Sequence, residues 1–133
     1  MKGSCLCQAI AYEIDQLDGP IVNCSCRTCR KAHGAAFPAT ARVLHEHFRW
    51  LKGEQHLRAF ASSPDKDRLF CSQCGTHLVA QRAGQPSVIL RVATLDEDPG
   101  RSPEIHIWRS HEVPWAAYGE GVVGHPEVPS LVG

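Results

Sequence analysis

The stretch Cys71-Ser72-Gln73-Cys74-Gly75 decides how this chain folds. Two cysteines separated by two residues, with glycine after the second, are typical of a zinc knuckle. The tight turn points both sulfurs the same way, and glycine permits the positive φ that the turn requires. Zinc takes four ligands in a tetrahedron, about 2.3 Å from each sulfur. The knuckle therefore supplies half of a site, and the chain must bring two further ligands to it.

The other five cysteines lie in two groups, Cys5-Leu6-Cys7 and Cys24-Ser25-Cys26-Arg27-Thr28-Cys29. The first pair is suited to complete the knuckle, which leaves the middle three sulfurs as a metal site with one coordination position free. Closed four-ligand sites are structural, whereas three-ligand sites can be catalytic. The spacing also allows two of the middle cysteines to join the knuckle. The alternatives for the middle three are a second structural zinc completed by a histidine, or redox-sensitive free thiols.

Composition narrows the class of protein. The chain has 133 residues, 43% of them hydrophobic, which is enough for one domain with its own core over residues 1–133. Its 14 basic and 14 acidic residues balance, so no nucleic-acid partner is expected. No apolar run approaches the ~18 residues of a membrane helix, and the first twenty residues lack a hydrophobic signal core. These features predict a cytoplasmic protein without a membrane partner. In the reducing cytoplasm, short cysteine spacings and an odd count of seven cysteines favour metal or redox chemistry over disulfides.

The hydrophobic pattern predicts a mainly β fold of short antiparallel strands, sandwich-like in their spacing. The central strand is expected around Val88-Ile89-Leu90, because this run is apolar on both faces. A turn is expected at Ser62-Ser63-Pro64-Asp65, and a helical turn only at 114–118. The tail, 119–133, is Gly- and Pro-rich and is predicted to be irregular, with 122–133 outside the core. The predicted extended segments are 9–14, 35–43, 56–61, 76–81, 87–95 and 104–108.

Several separated motifs resemble those of the glutathione-dependent formaldehyde-activating enzyme and centromere protein V family. The resemblance covers about residues 3–121, and its motifs occur in the family's order. They are Gly3-Ser4-Cys5-Leu6-Cys7-Gln8-Ala9-Ile10-Ala11-Tyr12-Glu13, Cys24-Ser25-Cys26-Arg27-Thr28-Cys29-Arg30-Lys31-Ala32-His33-Gly34, Ser62-Ser63-Pro64, Arg68-Leu69-Phe70-Cys71-Ser72-Gln73-Cys74-Gly75-Thr76-His77-Leu78, Thr94-Leu95-Asp96, His106-Ile107-Trp108 and Pro114-Trp115.

The resemblance implies a zinc-stabilised β fold like that of small Rab-exchange-factor-like proteins. It implies a carbon–sulfur lyase, run in the direction that adds glutathione to formaldehyde, so the implied partner is a small thiol or an aldehyde adduct. Two positions depart from the family pattern. Ser25 stands where the family usually has histidine, and Glu120-Gly121-Val122-Val123 replaces a common Asp-Gly-Leu-Pro. The resemblance also implies the pairing of the cysteines: Cys5, Cys7, Cys71 and Cys74 match the structural site, and Cys24, Cys26 and Cys29 match the catalytic site.

Charge balance points to further candidate residues. Three thiolates around Zn²⁺ leave a net charge of about −1, and a bound substrate thiolate makes it about −2, which dampens reactivity unless cations lie nearby. Arg27, Arg30 and Lys31 adjoin the middle cysteines and are candidates for this role or for contacts to glutathione carboxylates. His33 is a candidate proton carrier. The competing hypotheses are a non-enzymatic zinc-stabilised binding module and a thiol redox enzyme, which would need a late cysteine, although none follows Cys74.

Overall fold

The computed structural model describes residues 1–116, 121–123 and 125–127, and its fold is mainly β, as predicted. Short 3-10 helices span His45–His47, Glu54–His56, Val92–Thr94 and Arg109–His111. One α-helix, α1, spans Arg27–His33. The strands are β1 (Lys2–Ser4), β2 (Ala11–Ile14), β3 (Val22–Cys24), β4 (Ala39–Leu44), β5 (Phe48–Lys52), β6 (Leu57–Ser63), β7 (Lys66–Cys71), β8 (His77–Arg82), β9 (Ser87–Arg91) and β10 (Ile105–Ile107).

Two sheets share these strands. The smaller has the order β1-β2-β5 and the larger the order β10-β3-β4-β9-β8-β7-β6. Strand β9 lies in the middle of the larger sheet, so the prediction of a central strand at Val88-Ile89-Leu90 is confirmed. The prediction of antiparallel pairing is wrong for one pair, because β10 runs parallel to β3. Parallel neighbours need a long connection rather than a hairpin, and the chain between these two strands supplies one.

The core is formed by side chains from both sheets. Alternation along the first predicted strand places Ile10, Tyr12 and Ile14 inside, each fully buried. They pack with Val43, Leu90 and other buried residues of the larger sheet. The ring of Tyr12 stacks on Phe48 at 5.4 Å. This core fixes the ends of the strands that carry the cysteines.

The α-helix was not predicted from the sequence. Residues 27–33 contain no apolar stripe, so their periodicity gives no helical signal. The helix begins because Cys26 Sγ accepts a hydrogen bond from the backbone N–H of Cys29, and it ends at Gly34 in the left-handed conformation.

One other predicted segment differs from the structure, and a second is described only in part. The strand expected over 87–95 ends at Arg91, and Val92–Thr94 is a 3-10 helix. The helical turn expected at 114–118 is described only to Ala116, whose N–H donates to the Val113 carbonyl at 3.2 Å. Residues 117–120, 124 and 128–133, which include most of the predicted tail, lie outside the described residues. Within the described part of the chain, no helix is both long and apolar enough to cross a membrane.

Candidate metal centres and substrate cavity

Four sulfurs meet where the knuckle faces the loop after β1. The Sγ atoms of Cys5, Cys7, Cys71 and Cys74 all lie within 4.8 Å of one another. The Cys5–Cys7 and Cys7–Cys71 sulfur distances are 3.7 and 3.9 Å. Sulfurs at the corners of a tetrahedron around zinc stand about 3.8 Å apart. The donor set and its spacing therefore fit a closed Zn²⁺ site.

Local backbone turns aim these sulfurs. In the knuckle, Gly75 N–H donates to the Cys71 carbonyl at 2.8 Å, and Gly75 has the positive φ of 78° that the sequence predicted. The opposing loop closes in the same way, since Gln8 N–H donates to the Cys5 carbonyl at 2.9 Å. Ile10 N–H then donates to Cys5 Sγ at 3.3 Å.

Two of the four thiols have pKa values shifted in opposite directions, those of Cys7 and Cys74. Burial works against the thiolate of Cys74, but hydrogen bonds from Thr76 and from Cys7 outweigh it and lower the pKa of Cys74 to about 5. The backbone at Ala9 favours the Cys7 thiolate, yet burial and the neighbouring thiols raise the pKa of Cys7 to about 11. Neighbouring thiolates repel each other, and a divalent cation is what allows all of them to ionise together.

The remaining cysteines form a second, three-sulfur cluster at the junction of β3 and α1. The Sγ atoms of Cys24, Cys26 and Cys29 lie within 4.8 Å of one another. Cys24 ends β3, Cys26 caps the helix, and Cys29 lies in the first helical turn. In the described part of the chain, no histidine, carboxylate or fourth cysteine completes this cluster. The donor set fits zinc with one position left for another ligand.

A cavity of about 400 Å³ opens over the three sulfurs. All three cysteines line it, together with Trp108 and His111 near the end of β10. Of its described lining residues, none is acidic and five are basic: Arg27, Lys66, Arg68, Arg82 and Arg91. A chain with no net charge therefore concentrates positive charge at this opening.

The three cations predicted beside the cysteines lie in different places. Arg27 lines the cavity, whereas Lys31 lines a neighbouring groove. Arg30 donates through Nε to the carbonyl oxygen of Ser25 at 3.2 Å, which ties the helix to the end of β3. Of the three predicted cations, Arg27 therefore lies on the wall of the cavity, Lys31 lies on the groove beside it, and Arg30 has a structural contact instead.

Two buried arginines beside the sulfurs, Arg68 and Arg91, were not predicted from the sequence. Arg68 Nη2 donates to Cys29 Sγ at 3.7 Å. Burial works against the thiolate of Cys29, but the Arg68 hydrogen bond and the neighbouring thiols lower its pKa. Arg91 follows the apolar run of β9, and burial lowers its pKa to about 10. A charged residue inside a strand that is otherwise apolar was the available signal.

The histidines of the predicted motifs have other roles. His33 packs on His77 with ring centroids 4.9 Å apart. Burial, followed by the charge of Arg91, lowers the pKa of His33 to about 3, so the ring is neutral at physiological pH. It does not line the cavity that holds the sulfurs. These observations do not support His33 as a proton carrier.

Ser25, which stands where the family usually has histidine, is fully buried. Its hydroxyl and the Nε2 atom of His106 are 2.6 Å apart in a hydrogen bond. Its N–H donates to the Ile107 carbonyl at 3.1 Å. Ser25 therefore fastens β10 to the cysteine loop, and β10 leads directly into Trp108 on the cavity wall.

Comparisons with known proteins agree with this architecture. A sequence model described as glutathione-dependent formaldehyde-activating enzyme matches residues 1–111. The crystal structure of a protein from Rhodobacter sphaeroides is similar, with 26% sequence identity and a TM-score of 0.66 over 80% of this chain and 98% of that chain. No curated protein sequence matches the chain significantly. Because the family match spans most of its length, the chain belongs to the glutathione-dependent formaldehyde-activating enzyme family.

Proposed function

We propose that this protein is an enzyme that forms and breaks the carbon–sulfur bond of a thiol–aldehyde adduct, with glutathione and formaldehyde as its first candidate substrates. The observation that carries this proposal is the cluster of Cys24, Cys26 and Cys29, which opens into a cationic cavity and has one ligand fewer than a closed site. In the adding direction, the thiol sulfur bonds to the carbonyl carbon and the carbonyl π bond opens. The thiol proton ends on the oxygen, so the product is a hemithioacetal.

Zinc is the cofactor that the residues fit. Cys24, Cys26 and Cys29 would hold one ion, and Cys5, Cys7, Cys71 and Cys74 a second, structural ion. At an open site, Zn²⁺ supplies a positive charge that favours the thiolate form of a bound thiol at neutral pH. Cys26 is the half-exposed member of the triplet, whereas Cys24 and Cys29 are buried, so the cluster is open on the Cys26 side.

The cavity wall provides groups that orient the substrate and move its proton. Trp108 has a left-handed backbone, with φ of 57°, which is rare for a bulky residue and holds its ring beside the cavity. The ring packs against His111, with centroids 4.8 Å apart. The imidazole of His111 lines the cavity and is the group to which we assign the transfer of a proton to the carbonyl oxygen.

The test is turnover by the zinc-loaded protein, followed by NMR as glutathione and formaldehyde form S-hydroxymethylglutathione. The Cys26→Ser variant should lose the catalysed rate while its circular dichroism and melting temperature stay close to those of the wild type. Cys26 is half-exposed, so the change leaves the buried core in place. Normal turnover in Cys26→Ser would sink the proposal.

A further inference from the structure

Two buried guanidinium groups beside the three-sulfur cluster are only partly bonded. Arg68 is 2% exposed and Arg91 is 4% exposed. Each makes one hydrogen bond, Arg68 to Cys29 Sγ and Arg91 through Nη1 to the Ile89 carbonyl at 3.1 Å. Nε and Nη1 of Arg68, and Nε and Nη2 of Arg91, are buried without a partner among the described residues.

No carboxylate balances these charges. In the described part of the chain, no ion pair includes Arg68 or Arg91. A buried donor without an acceptor destabilises the folded protein, and so does a buried ion that is not paired. Zinc held by three thiolates carries about one negative charge, which is less than the two guanidiniums carry. Lys66, half-buried on the same wall, adds to the excess. The site as a whole lacks an anion.

Arg68 and Arg91 both line the cavity over Cys24, Cys26 and Cys29, so a carboxylate bound at this wall is the group we expect to supply the missing acceptors. A guanidinium presents a planar fork of N–H groups that matches a carboxylate, which accepts two parallel hydrogen bonds. A cavity with low-dielectric walls and one sign of charge also concentrates anions at its mouth. Formaldehyde is neutral and does not need two guanidinium groups to bind.

We propose that Arg68 and Arg91 form a carboxylate-binding subsite beside the three-sulfur cluster, so that the adduct processed there carries a carboxylate. The identification of the ligand as a thiol adduct rests on the function proposed above, whereas the subsite itself does not. The carboxylate has two chemical sources. It belongs either to the thiol, as in glutathione, or to the carbonyl partner, as in an aldehyde acid whose carboxylate adjoins the reacting carbon.

The test measures binding with probes that cannot react. S-methylated compounds have no thiol proton and form no hemithioacetal, so their affinity is independent of turnover. One pair is S-methylglutathione and its dimethyl ester, which reports a carboxylate on the thiol. The other pair is (methylthio)acetate and 2-(methylthio)ethanol, which reports a carboxylate next to the sulfur. Calorimetry on the zinc-loaded protein gives the dissociation constants.

In the wild type, the carboxylate member of at least one pair should bind at least about 10-fold more tightly than its neutral counterpart. A preference in the first pair assigns the carboxylate to the thiol, and a preference in the second assigns it to the carbonyl partner. Equal affinities within both pairs would overturn the proposal. A carboxylate preference in a protein that fails to turn over glutathione and formaldehyde would overturn the proposed function and leave the subsite standing.

Variants of Arg91 test whether this residue causes the preference for the carboxylate compound. Arg91→Met keeps much of the side-chain volume and removes the charge, so it should abolish the preference. Replacing an unpaired buried ion with an apolar side chain is often neutral or stabilising, so we expect it to fold. Arg91→Lys keeps the charge but lacks the planar guanidinium, so it should lose about 10-fold in affinity for the carboxylate compound. This variant tests the role of Arg91 if Arg91→Met does not fold. Arg58→Met is the matched control, because Arg58 is exposed on β6 and its side chain donates to the backbone carbonyls of Gln55 and Leu57. A preference that survives in both Arg91 variants would contradict the assignment.

Discussion

His111 is the titratable side chain of the cavity wall whose role can be isolated by one substitution. His111→Gln keeps a hydrogen-bonding group in place but removes the ability to carry a proton near neutral pH. We expect kcat to fall about 100-fold, within the range typical of general acid–base catalysis, with little change in thiol affinity. The pH dependence of kcat should also change in the variant, because the group that transfers the proton is absent. A variant with the wild-type profile would remove His111 from the proton transfer.

His47 and Asp18 form an ion pair at the edge of the fold, and its contribution to stability depends on pH. Their closest atoms are 2.9 Å apart. The hydrogen bond that His47 Nδ1 donates to the Asp18 carboxylate raises the pKa of His47 above its ordinary 6.5. Burial alone would raise the pKa of Asp18, but hydrogen bonds from Gln16, Leu44 N–H and His47 outweigh it and lower the pKa below 3.8. The pair is therefore fully formed between about pH 4 and 6.5, and it weakens as pH rises through the raised pKa of His47 or falls through the lowered pKa of Asp18.

The melting temperature of wild type should therefore exceed that of His47→Gln most clearly near pH 5 to 6, and the difference should shrink by pH 9. His45→Gln is the control, because its ring bonds the Gln85 carbonyl and has no carboxylate partner in the described residues. A difference in melting temperature that widens as pH rises would contradict the expected pH dependence of this ion pair's contribution to stability.

At the residue scale, sequence neighbourhood identified the sulfurs better than it identified the cations. Cys24, Cys26 and Cys29 are close in sequence, so their convergence is a local property. The arginines that approach them are brought by strands, since Arg68 lies 39 positions after Cys29 and is placed by β7. The spacing of the cysteines in the sequence cannot predict such a long-range contact. The buried position of Arg91 was signalled only by its place at the end of an apolar strand.

At the element scale, the turn between β5 and the 3-10 helix at 54–56 depends on one glycine. Gly53 has φ of 77°, and a Cβ there would overlap the carbonyl oxygen of Ala9. Gly84 has a similar φ of 74°, but a Cβ there meets nothing within 4 Å. Gly84→Ala should therefore cost only the left-handed penalty of about 1–2 kcal/mol. Gly53→Ala should cost that amount plus about 1–3 kcal/mol for the clash. Urea denaturation of both variants measures the difference, and equal costs would contradict the close approach.

How well each strand or helix was predicted depends on how much of it is determined by neighbouring residues in the sequence. Strands with clear two-residue alternation, such as β2, were predicted within two residues of their ends. Helix α1 was missed because a cysteine sulfur, rather than an apolar period or a standard capping residue, starts it. The parallel pairing of β10 with β3 joins residues 83 positions apart, and no hairpin signal marks it. The Ser25–His106 hydrogen bond that accompanies this pairing was equally invisible in the sequence.

At the scale of the whole molecule, the closed cysteine cluster connects the two sheets. Cys5 follows β1 of the smaller sheet, and Cys71 ends β7 of the larger sheet. A metal held between them contributes its binding free energy to folding. Cys71→Ser should therefore unfold the protein, or lower its melting temperature by well over 10 °C, and a strong chelator should act in the same direction. A Cys71→Ser variant with wild-type circular dichroism and melting temperature would remove the structural role of this cluster.

The division of seven cysteines into a closed cluster and an open one is the central claim, and zinc content tests it most directly. Elemental analysis of purified wild type, saturated with zinc and then desalted, should give about two ions per chain. Cys26→Ser should give about one, with the fold retained, because only the open cluster loses a ligand. A wild-type value fixed at one ion, unchanged in Cys26→Ser, would contradict the claim and leave Cys24, Cys26 and Cys29 as free thiols.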